Sequence, residues 1–176
     1  RDIEIIVLDG LRGLGNQYGL PVGPLREGAS KLHDVDFILQ NGGQDPYSER
    51  VECVDLRWGD VYRLDDKSIT RRVDSLVGET LHLVTGIGNP QRLLSQCKEN
   101  KLTVIPHFYP DHHAFSNPDF AGIPEEALIL LTEKDAVKCL QLQLRNAWVI
   151  PAEAVLSDQF SKQFLAKLES YASDRA

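Results

Sequence analysis

The sequence predicts an α/β fold built on a largely parallel sheet. Short apolar runs rich in β-branched residues alternate with segments of helical spacing, which is the order that parallel strands and their crossover helices require. Several runs are almost continuously hydrophobic, as strands buried on both faces are. The predicted strands cover residues 3–8, 37–39, 81–85, 102–105, 127–131 and 148–150.

Helices are predicted between the later strands and at the end of the chain. Residues 89–98 and 133–144 have helical spacing and recognisable starts. In the tail, residues 158–171 place five apolar side chains on one helical face: Phe160, Phe164, Leu165, Leu168 and Tyr171. A closing helix packed on the core is favoured over a membrane-surface helix, because the charges of the tail are mixed rather than basic.

The middle of the chain predicts a connector between two α/β segments. Residues 51–58 and 61–64 have strand character and flank Gly59 and Asp60, which indicates a β-hairpin. A domain boundary is expected at residues 71–74. The first domain then covers residues 1–73, including the hairpin, and the second, smaller α/β domain with its closing helix covers residues 74–176.

Composition excludes several classes of function. The 176 residues carry 19 basic and 26 acidic side chains, a net charge of -7, without a basic run that could neutralise a nucleic-acid backbone. Cys53, Cys97 and Cys139 lack the spacing of a disulfide framework or a zinc ribbon. No apolar run approaches the ~20 residues that span a bilayer. Because the chain contains no Met, we expect a soluble piece of a longer protein.

Two predicted strand ends run into helix starts. Residues 86–90 follow a strand with a glycine turn, after which Asn89 can cap a helix that opens with Pro90. Thr132 can cap the helix after the strand at 127–131, and Asp135 can reach back to the Thr132 N–H as in a capping box. Lys134 is a cation at the positive end of that helix, which indicates either a nearby anion or a solvated lysine beside an ordinary cap.

A long loop follows the first strand. Its glycines and two prolines, between residues 13 and 27, hold Arg26 on a stiff support. The Arg26 guanidinium can grip a phosphate or carboxylate in two places, although an ion pair with a neighbouring acid is an alternative. The loop does not form a nucleotide-phosphate cradle, since the pattern G-x-x-x-x-G-K-[S/T] does not occur in this sequence.

The segment 107–113 contains the most reactive pattern. It follows a predicted strand, so its polar groups are expected at the same carboxyl edge of the sheet as the two helix starts. Asp111 hydrogen-bonded to the His112 imidazole would favour general acid/base chemistry near neutral pH. A metal site built from His107, Asp111 and His113 is one alternative, and a structural polar turn is another.

Taken in order, these motifs resemble those of the tetraacyldisaccharide 4'-kinase family. The resemblance covers nearly the whole chain, with Leu14 and Leu93 standing where the family is expected to have Phe. The loop at 20–27 and the segment at 132–138 are its most specific parts. The other matching segments are residues 7–10, 12–13, 15–16, 86–90 and 111–113.

The resemblance implies an ATP- and Mg²⁺-dependent kinase of lipid A biosynthesis. Such an enzyme phosphorylates the 4'-hydroxyl of a tetraacyldisaccharide 1-phosphate, giving lipid IVA, at the cytoplasmic face of the inner membrane of Gram-negative bacteria. It implies two α/β domains and a β-stranded hinge, with residues 1–73 ending a Rossmann-like P-loop domain and an α/β/α domain following. The phosphate loop, the main Mg²⁺ ligands and the membrane-associating helix are expected upstream of Arg1, so this chain alone is expected to be inactive.

The resemblance also assigns site residues. Asp111 and His112 are carried over as catalytic support, with Arg26 and Glu27 as cleft residues and Lys134 as a further candidate; no metal ligand is carried over. His113 is the less secure member of the histidine pair. Two other classes stay open on the residues alone: a metal-dependent hydrolase using His107, Asp111 and His113, and a non-catalytic binding module.

Overall fold

The computed structural model describes residues 2–43 and 48–173. Its elements, in chain order, are β1 (Ile5–Asp9), α1 (Lys31–Asp34), β2 (Phe37–Asn41), β3 (Val51–Trp58), β4 (Val61–Arg63), β5 (Thr70–Arg71), a 3₁₀ turn (Val73–Leu76), β6 (Thr80–Thr85), α2 (Pro90–Glu99), β7 (Thr103–Phe108), α3 (Asn117–Phe120), β8 (Leu128–Thr132), α4 (Glu133–Cys139), β9 (Ala147–Ile150), β10 (Ala152–Val155) and α5 (Asp158–Ser173). The predicted α/β class is confirmed.

The chain forms two compact units. One contains residues 1–57 and 154–176, and the other contains residues 58–153. The predicted division at residue 73 instead cuts through the second of these units, and the predicted closing helix belongs with the first. The assignment of residues 1–73 and 74–176 as functional domains stays a prediction.

The first unit is built on a four-stranded sheet with the order β1-β2-β3-β10. β1 pairs with β2 and β2 with β3, both in parallel. Its core is formed by buried aliphatic side chains from β1, β2 and the segment around α1: Leu8, Leu14, Leu32, Val35 and Ile38. Three consecutive parallel strands are the arrangement that the near-continuous apolar runs predict.

The last helix, α5, packs by its aromatic side chains. The Phe160 ring contacts Phe37 edge-on at 5.1 Å, and the Phe164 ring lies 5.9 Å from Phe37. Leu165 and Leu168, predicted on the same buried face, are exposed instead. The closing helix is therefore confirmed with a narrower contact face. No helix in the described part of the chain has the length and apolar character needed to cross a membrane.

The second unit is built on a six-stranded sheet with the order β5-β4-β9-β8-β6-β7. β7, β6, β8 and β9 are parallel, and β4 runs antiparallel to β9. Consecutive residues of β6 belong to different cores, since Leu83 lies in the cluster that includes α2 and Val84 in the cluster that includes α4. Helices therefore cover both faces, as the predicted α/β/α arrangement requires.

The predicted hairpin is wrong. β3 pairs with β2 and β10 in the first sheet, whereas β4 pairs with β5 and β9 in the second. Gly59 and Asp60 thus carry the chain from one sheet to the other instead of reversing it. The register of β4 on β9 buries Val61 completely in the core of the second unit, and this burial outweighs local pairing with β3.

Candidate functional site

The carboxyl ends of three adjacent parallel strands meet at one edge of the second sheet. β8, β6 and β7 end at Thr132, Thr85 and Phe108, respectively. The first two strands lead into the predicted helix starts, and the third leads into the segment that contains Asp111. All three predicted polar segments therefore begin at this edge, which is where α/β proteins bind ligands.

The glycine turn after β6 lets the Asp111 segment approach closely. A Cβ atom on Gly88 would lie 3.3 Å from Asp111 Oδ2, and one on Gly86 would lie 3.0 Å from the Pro110 carbonyl oxygen. The cap of the following helix is confirmed, since the Asn89 side chain accepts from the Arg92 N–H at 3.4 Å. The backbone of the turn therefore packs directly against Pro110 and the Asp111 carboxylate, with little room for a larger residue.

Asp111 is held by Lys134 from the start of α4. The Lys134 ammonium donates to Asp111 Oδ1 at 2.9 Å, and the backbone N–H of His112 donates to the same oxygen at 3.0 Å. The hydrogen bond from Lys134, aided by the charge of His112, keeps the pKa of Asp111 below its usual value. The anion that the position of Lys134 indicated is therefore Asp111 itself.

The His112 ring is exposed beside this pair. Its Nε2 lies 3.7 Å from Asp111 Oδ2, and its side chain is 80% accessible. The expected side-chain hydrogen bond between them is thus not formed, since 3.7 Å exceeds hydrogen-bonding distance. His112 also has a φ of 64°, a conformation that non-glycine residues adopt rarely and that occurs disproportionately at functional sites.

The start of α4 differs from the predicted capping box in one detail. The Asp135 N–H donates to Thr132 Oγ1 at 3.2 Å, which confirms Thr132 as the cap. The Asp135 carboxylate, however, accepts from the Thr132 hydroxyl at 2.8 Å and from the Thr85 hydroxyl at 2.7 Å. The Asp135 carboxylate therefore accepts from the Thr85 hydroxyl of β6 instead of the Thr132 N–H. The Thr85 hydroxyl is buried and needs an acceptor, which the carboxylate supplies.

The proposed three-residue metal site is wrong. His113 Nε2 lies 3.2 Å from Asp119 Oδ2, and His107 Nε2 lies 2.9 Å from His82 Nδ1, so neither ring joins Asp111. In residues 2–43 and 48–173, no three His, Cys, Asp or Glu side chains are grouped so that they could hold a metal ion. The hydrolase interpretation built on these three residues is therefore not retained.

Sequence reasoning missed three polar residues near this edge. Thr85 and Lys138 both contact the Asp135 carboxylate, Lys138 at 3.2 Å. Asp119 receives the Ser116 N–H and hydroxyl at the start of α3. The available signals were a single hydroxyl ending an apolar strand and a lysine three residues after an aspartate, and neither is specific alone.

Arg26 and Glu27 lie in the other compact unit. Both are exposed and line a cavity of about 750 Å³ beside β1. The loop before them is closed by a hydrogen bond from the Leu20 N–H to the Leu25 carbonyl at 2.8 Å, which supports the predicted stiffness. Within the described ranges, no ion pair of the Arg26 guanidinium is found, so the alternative of a neighbouring acid is not realised there.

Comparison with known proteins gives concordant matches over almost the full chain. The family profile described as LpxK: Tetraacyldisaccharide-1-P 4'-kinase matches residues 1–169. A tetraacyldisaccharide 4'-kinase of Methylobacillus flagellatus is 39% identical over 96% of this chain and 49% of its own length. One from Nitrosococcus oceani is 38% identical over 99% of this chain and 50% of its own length.

A solved structure has the same fold. The chain matches a crystal structure of the "apo" form of LpxK from Aquifex aeolicus in complex with ATP, with a TM-score of 0.70 and 16% identity. The match covers 97% of this chain and 53% of that one. The chain thus spans about half the length of the relatives it matches. Since the family profile extends from residue 1 to residue 169, the chain belongs to the tetraacyldisaccharide-1-P 4'-kinase family.

Proposed function

We propose that this chain forms the acceptor-side half of a kinase that transfers the γ-phosphate of ATP to the 4'-hydroxyl of a tetraacyldisaccharide 1-phosphate. Asp111 and His112 act on the hydroxyl, Lys134 holds Asp111, and Arg26 and Glu27 line the substrate or nucleotide cleft. One observation carries the proposal: two sequence patterns, 23 residues apart at Asp111 and Lys134, meet at the Asp111 carboxylate, where Lys134 donates to Oδ1 and His112 Nε2 lies 3.7 Å from Oδ2.

The chemistry of the pair suits proton removal from a sugar hydroxyl. Asp111 Oδ2 faces His112 Nε2, and a carboxylate there favours the tautomer with its proton on Nε2. The Nδ1 lone pair of the neutral ring is then free to accept the hydroxyl proton. The present 3.7 Å separation shortens to a hydrogen bond when substrate is bound, as catalytic contacts commonly do.

Lys134 keeps the carboxylate ready for this role. Its ammonium stabilises the ionised form of Asp111, so the carboxylate is negative at neutral pH and supports the imidazolium that forms. The Lys134 ammonium has three N–H donors, one of which donates to Asp111. The remaining donors suit the negative charge of a transferring phosphoryl group, for which positioning and charge stabilisation account for most of the catalysis.

ATP and Mg²⁺ belong to the proposed reaction, but the described residues do not fit either group. The sequence has no G-x-x-x-x-G-K-[S/T] pattern, and the part of the chain that the structure describes has no suitable group of metal-ligating side chains. That an LpxK structure contains ATP supports its use as phosphate donor. We assign the triphosphate cradle and the Mg²⁺ ligands to the other half of the family protein.

The substrate class and the place of the reaction complete the proposal. The family name supports a lipid disaccharide as acceptor. Because acyl chains partition into a bilayer, we place the enzyme at a membrane surface. We take this to be the cytoplasmic face of the bacterial inner membrane, contacted peripherally through the half outside this chain. The acidic balance of the chain supports partners other than nucleic acid.

The test measures phosphoryl transfer by a full-length enzyme that carries this sequence as its C-terminal half. His112→Asn removes the imidazole and tolerates the positive φ at this position. We expect kcat to fall roughly 10²-fold, because a positioned acid/base group contributes about that much, with KM little changed. The assay follows labelled phosphate from ATP to the disaccharide.

His33→Asn is the matched control, since it makes the same exchange at an exposed histidine in the other unit. It should leave kcat unchanged. If His112→Asn turns over at the parent rate with its fold intact, the assignment of His112 fails. If Asp111→Asn does so as well, this edge has no catalytic role and a binding module becomes the better description.

A further inference from the structure

A carboxylate is completely buried behind the Asp111–Lys134 pair. Asp135 is 0% accessible, and so is Thr85, which donates its hydroxyl proton to Asp135 Oδ2. The Thr132 hydroxyl donates to the same oxygen, and the Lys138 ammonium lies 3.2 Å from Oδ1. Three protein groups therefore surround the carboxylate and account for both of its oxygens.

Such a residue is costly in a core. An unpartnered buried charge destabilises a protein strongly, and apolar side chains of similar volume often serve stability equally well or better. On α4, Ala136 and Cys139 lie in the core of the second unit, as Asp135 does, whereas Lys138 contacts the Asp135 carboxylate. Core packing alone therefore does not account for a carboxylate at this position. The role of Asp135 is better inferred from the groups to which it is hydrogen-bonded.

The bonds of Asp135 join the two sides of the candidate site. On one side, Thr132 and Asp135 form the first turn of α4, and Lys134 lies between them in sequence. On the other side, Thr85 ends β6, and its carbonyl accepts the N–H of Tyr109, which begins the segment leading to Asp111. One carboxylate thus links the element that carries Lys134 to the strand that supports Asp111.

We propose that Asp135 is a positioning residue, which sets the Lys134 ammonium against the Asp111 carboxylate through its hydrogen bonds to Thr85 and Thr132. It touches neither substrate nor cofactor. Its effect on catalysis rests on the function proposed above, whereas its effect on the geometry of the Asp111–Lys134 pair does not. The titratable groups facing Asp111 are Lys134 and His112. Those near Asp135 are the Lys138 ammonium and the Cys139 thiol, which burial keeps neutral by raising its pKa to about 12.

The test removes the hydrogen bond from the far side of the network. Thr85→Val keeps the volume of the side chain but loses the hydroxyl, and Thr85→Ser restores the hydroxyl. The first readout is the pKa of the Asp111 carboxyl, measured by carbon NMR titration of this chain. If Thr85→Val lets Lys134 move away, that pKa rises toward its usual value, whereas Thr85→Ser keeps the parent value.

The second readout uses the full-length enzyme. Thr85→Val should lower kcat by about 10-fold to 10²-fold with KM little changed, since a displacement near 1 Å can cost that much, and the acid limb of its pH profile should move up. Thr85→Ser should restore both. Purely structural loss would lower the amount of folded enzyme without moving the pH profile.

A Thr85→Val protein that folds and keeps the parent pKa of Asp111 overturns the proposal. If this variant fails to fold, Thr85→Cys is used instead, because it keeps the side-chain volume and offers only a weak hydrogen-bond donor. An Asp111 pKa equal to the parent value in Thr85→Cys would likewise overturn the proposal. If the pKa rises but kcat is unchanged, Asp135 positions the pair as proposed and the kinase role of Asp111 fails instead.

Discussion

Leu83→Ala should strongly destabilise the second unit. Leu83 is 0% accessible and lies on β6, where it pairs with Pro106 of β7 and Leu130 of β8. The exchange removes three carbon atoms, worth about 2.4 kcal/mol at ~0.8 kcal/mol for each buried carbon group. The cavity left in the cluster between β6 and α2, which contributes Leu93 and Cys97, adds to this, so the free energy of unfolding should fall by about 3–4 kcal/mol.

The assay is urea denaturation followed by tryptophan fluorescence. Both tryptophans of the chain, Trp58 and Trp148, lie in or against the same cluster as Leu83, so the emission reports this unit. The midpoint should fall while the slope of the transition stays constant. Leu140→Ala is the matched control, because Leu140 is 60% accessible and the same atoms are removed.

Two outcomes would refute this reasoning. A loss below about 1 kcal/mol in Leu83→Ala would mean that the Leu83 side chain is not buried in this cluster, since burial alone is worth more than that. An equal loss in Leu140→Ala would mean that the effect comes from the side-chain exchange itself and not from burial in the sheet.

Two further predictions concern ionisable groups. Lys167 donates to Asp36 and holds the pKa of that carboxyl below its usual value. The pair therefore stabilises the folded state at pH values above the pKa that Asp36 has in the unfolded chain. This contribution is lost as the pH falls through the lower pKa that Asp36 has in the folded chain. Asp36→Asn should therefore lower the midpoint of urea unfolding at pH 7 but not at pH 2, with unfolding measured by circular dichroism. Equal losses at the two pH values would contradict a stabilising ion pair. Burial raises the pKa of the Cys97 thiol to about 11 and that of Cys139 to about 12. An aromatic disulfide reagent should label exposed Cys53 first and these two only on unfolding, and prompt labelling of all three would contradict the fold.

Much of the architecture could be predicted because its signals are local. The strands of the second unit and the start of α2 follow from apolar runs, Asn89 and Pro90, each of which acts on its immediate neighbours. The hairpin prediction was wrong because strand pairing here depends on a strand distant in sequence. Whether β4 pairs with β3 or with β9 depends on which pairing buries Val61, and the sequence near Gly59 carries no information about β9.

The site divides in the same way. The sequence by itself determined which polar side chains follow the strand ends, including Asp111, His112 and Lys134, and the ordered motifs indicated the family. Only the tertiary structure decided that Asp111 pairs with Lys134, 23 residues away, and that Thr85 bonds to Asp135, 50 residues away. Such contacts depend on which strands lie side by side, and strand order results from burial summed over the whole sheet, which no single segment specifies.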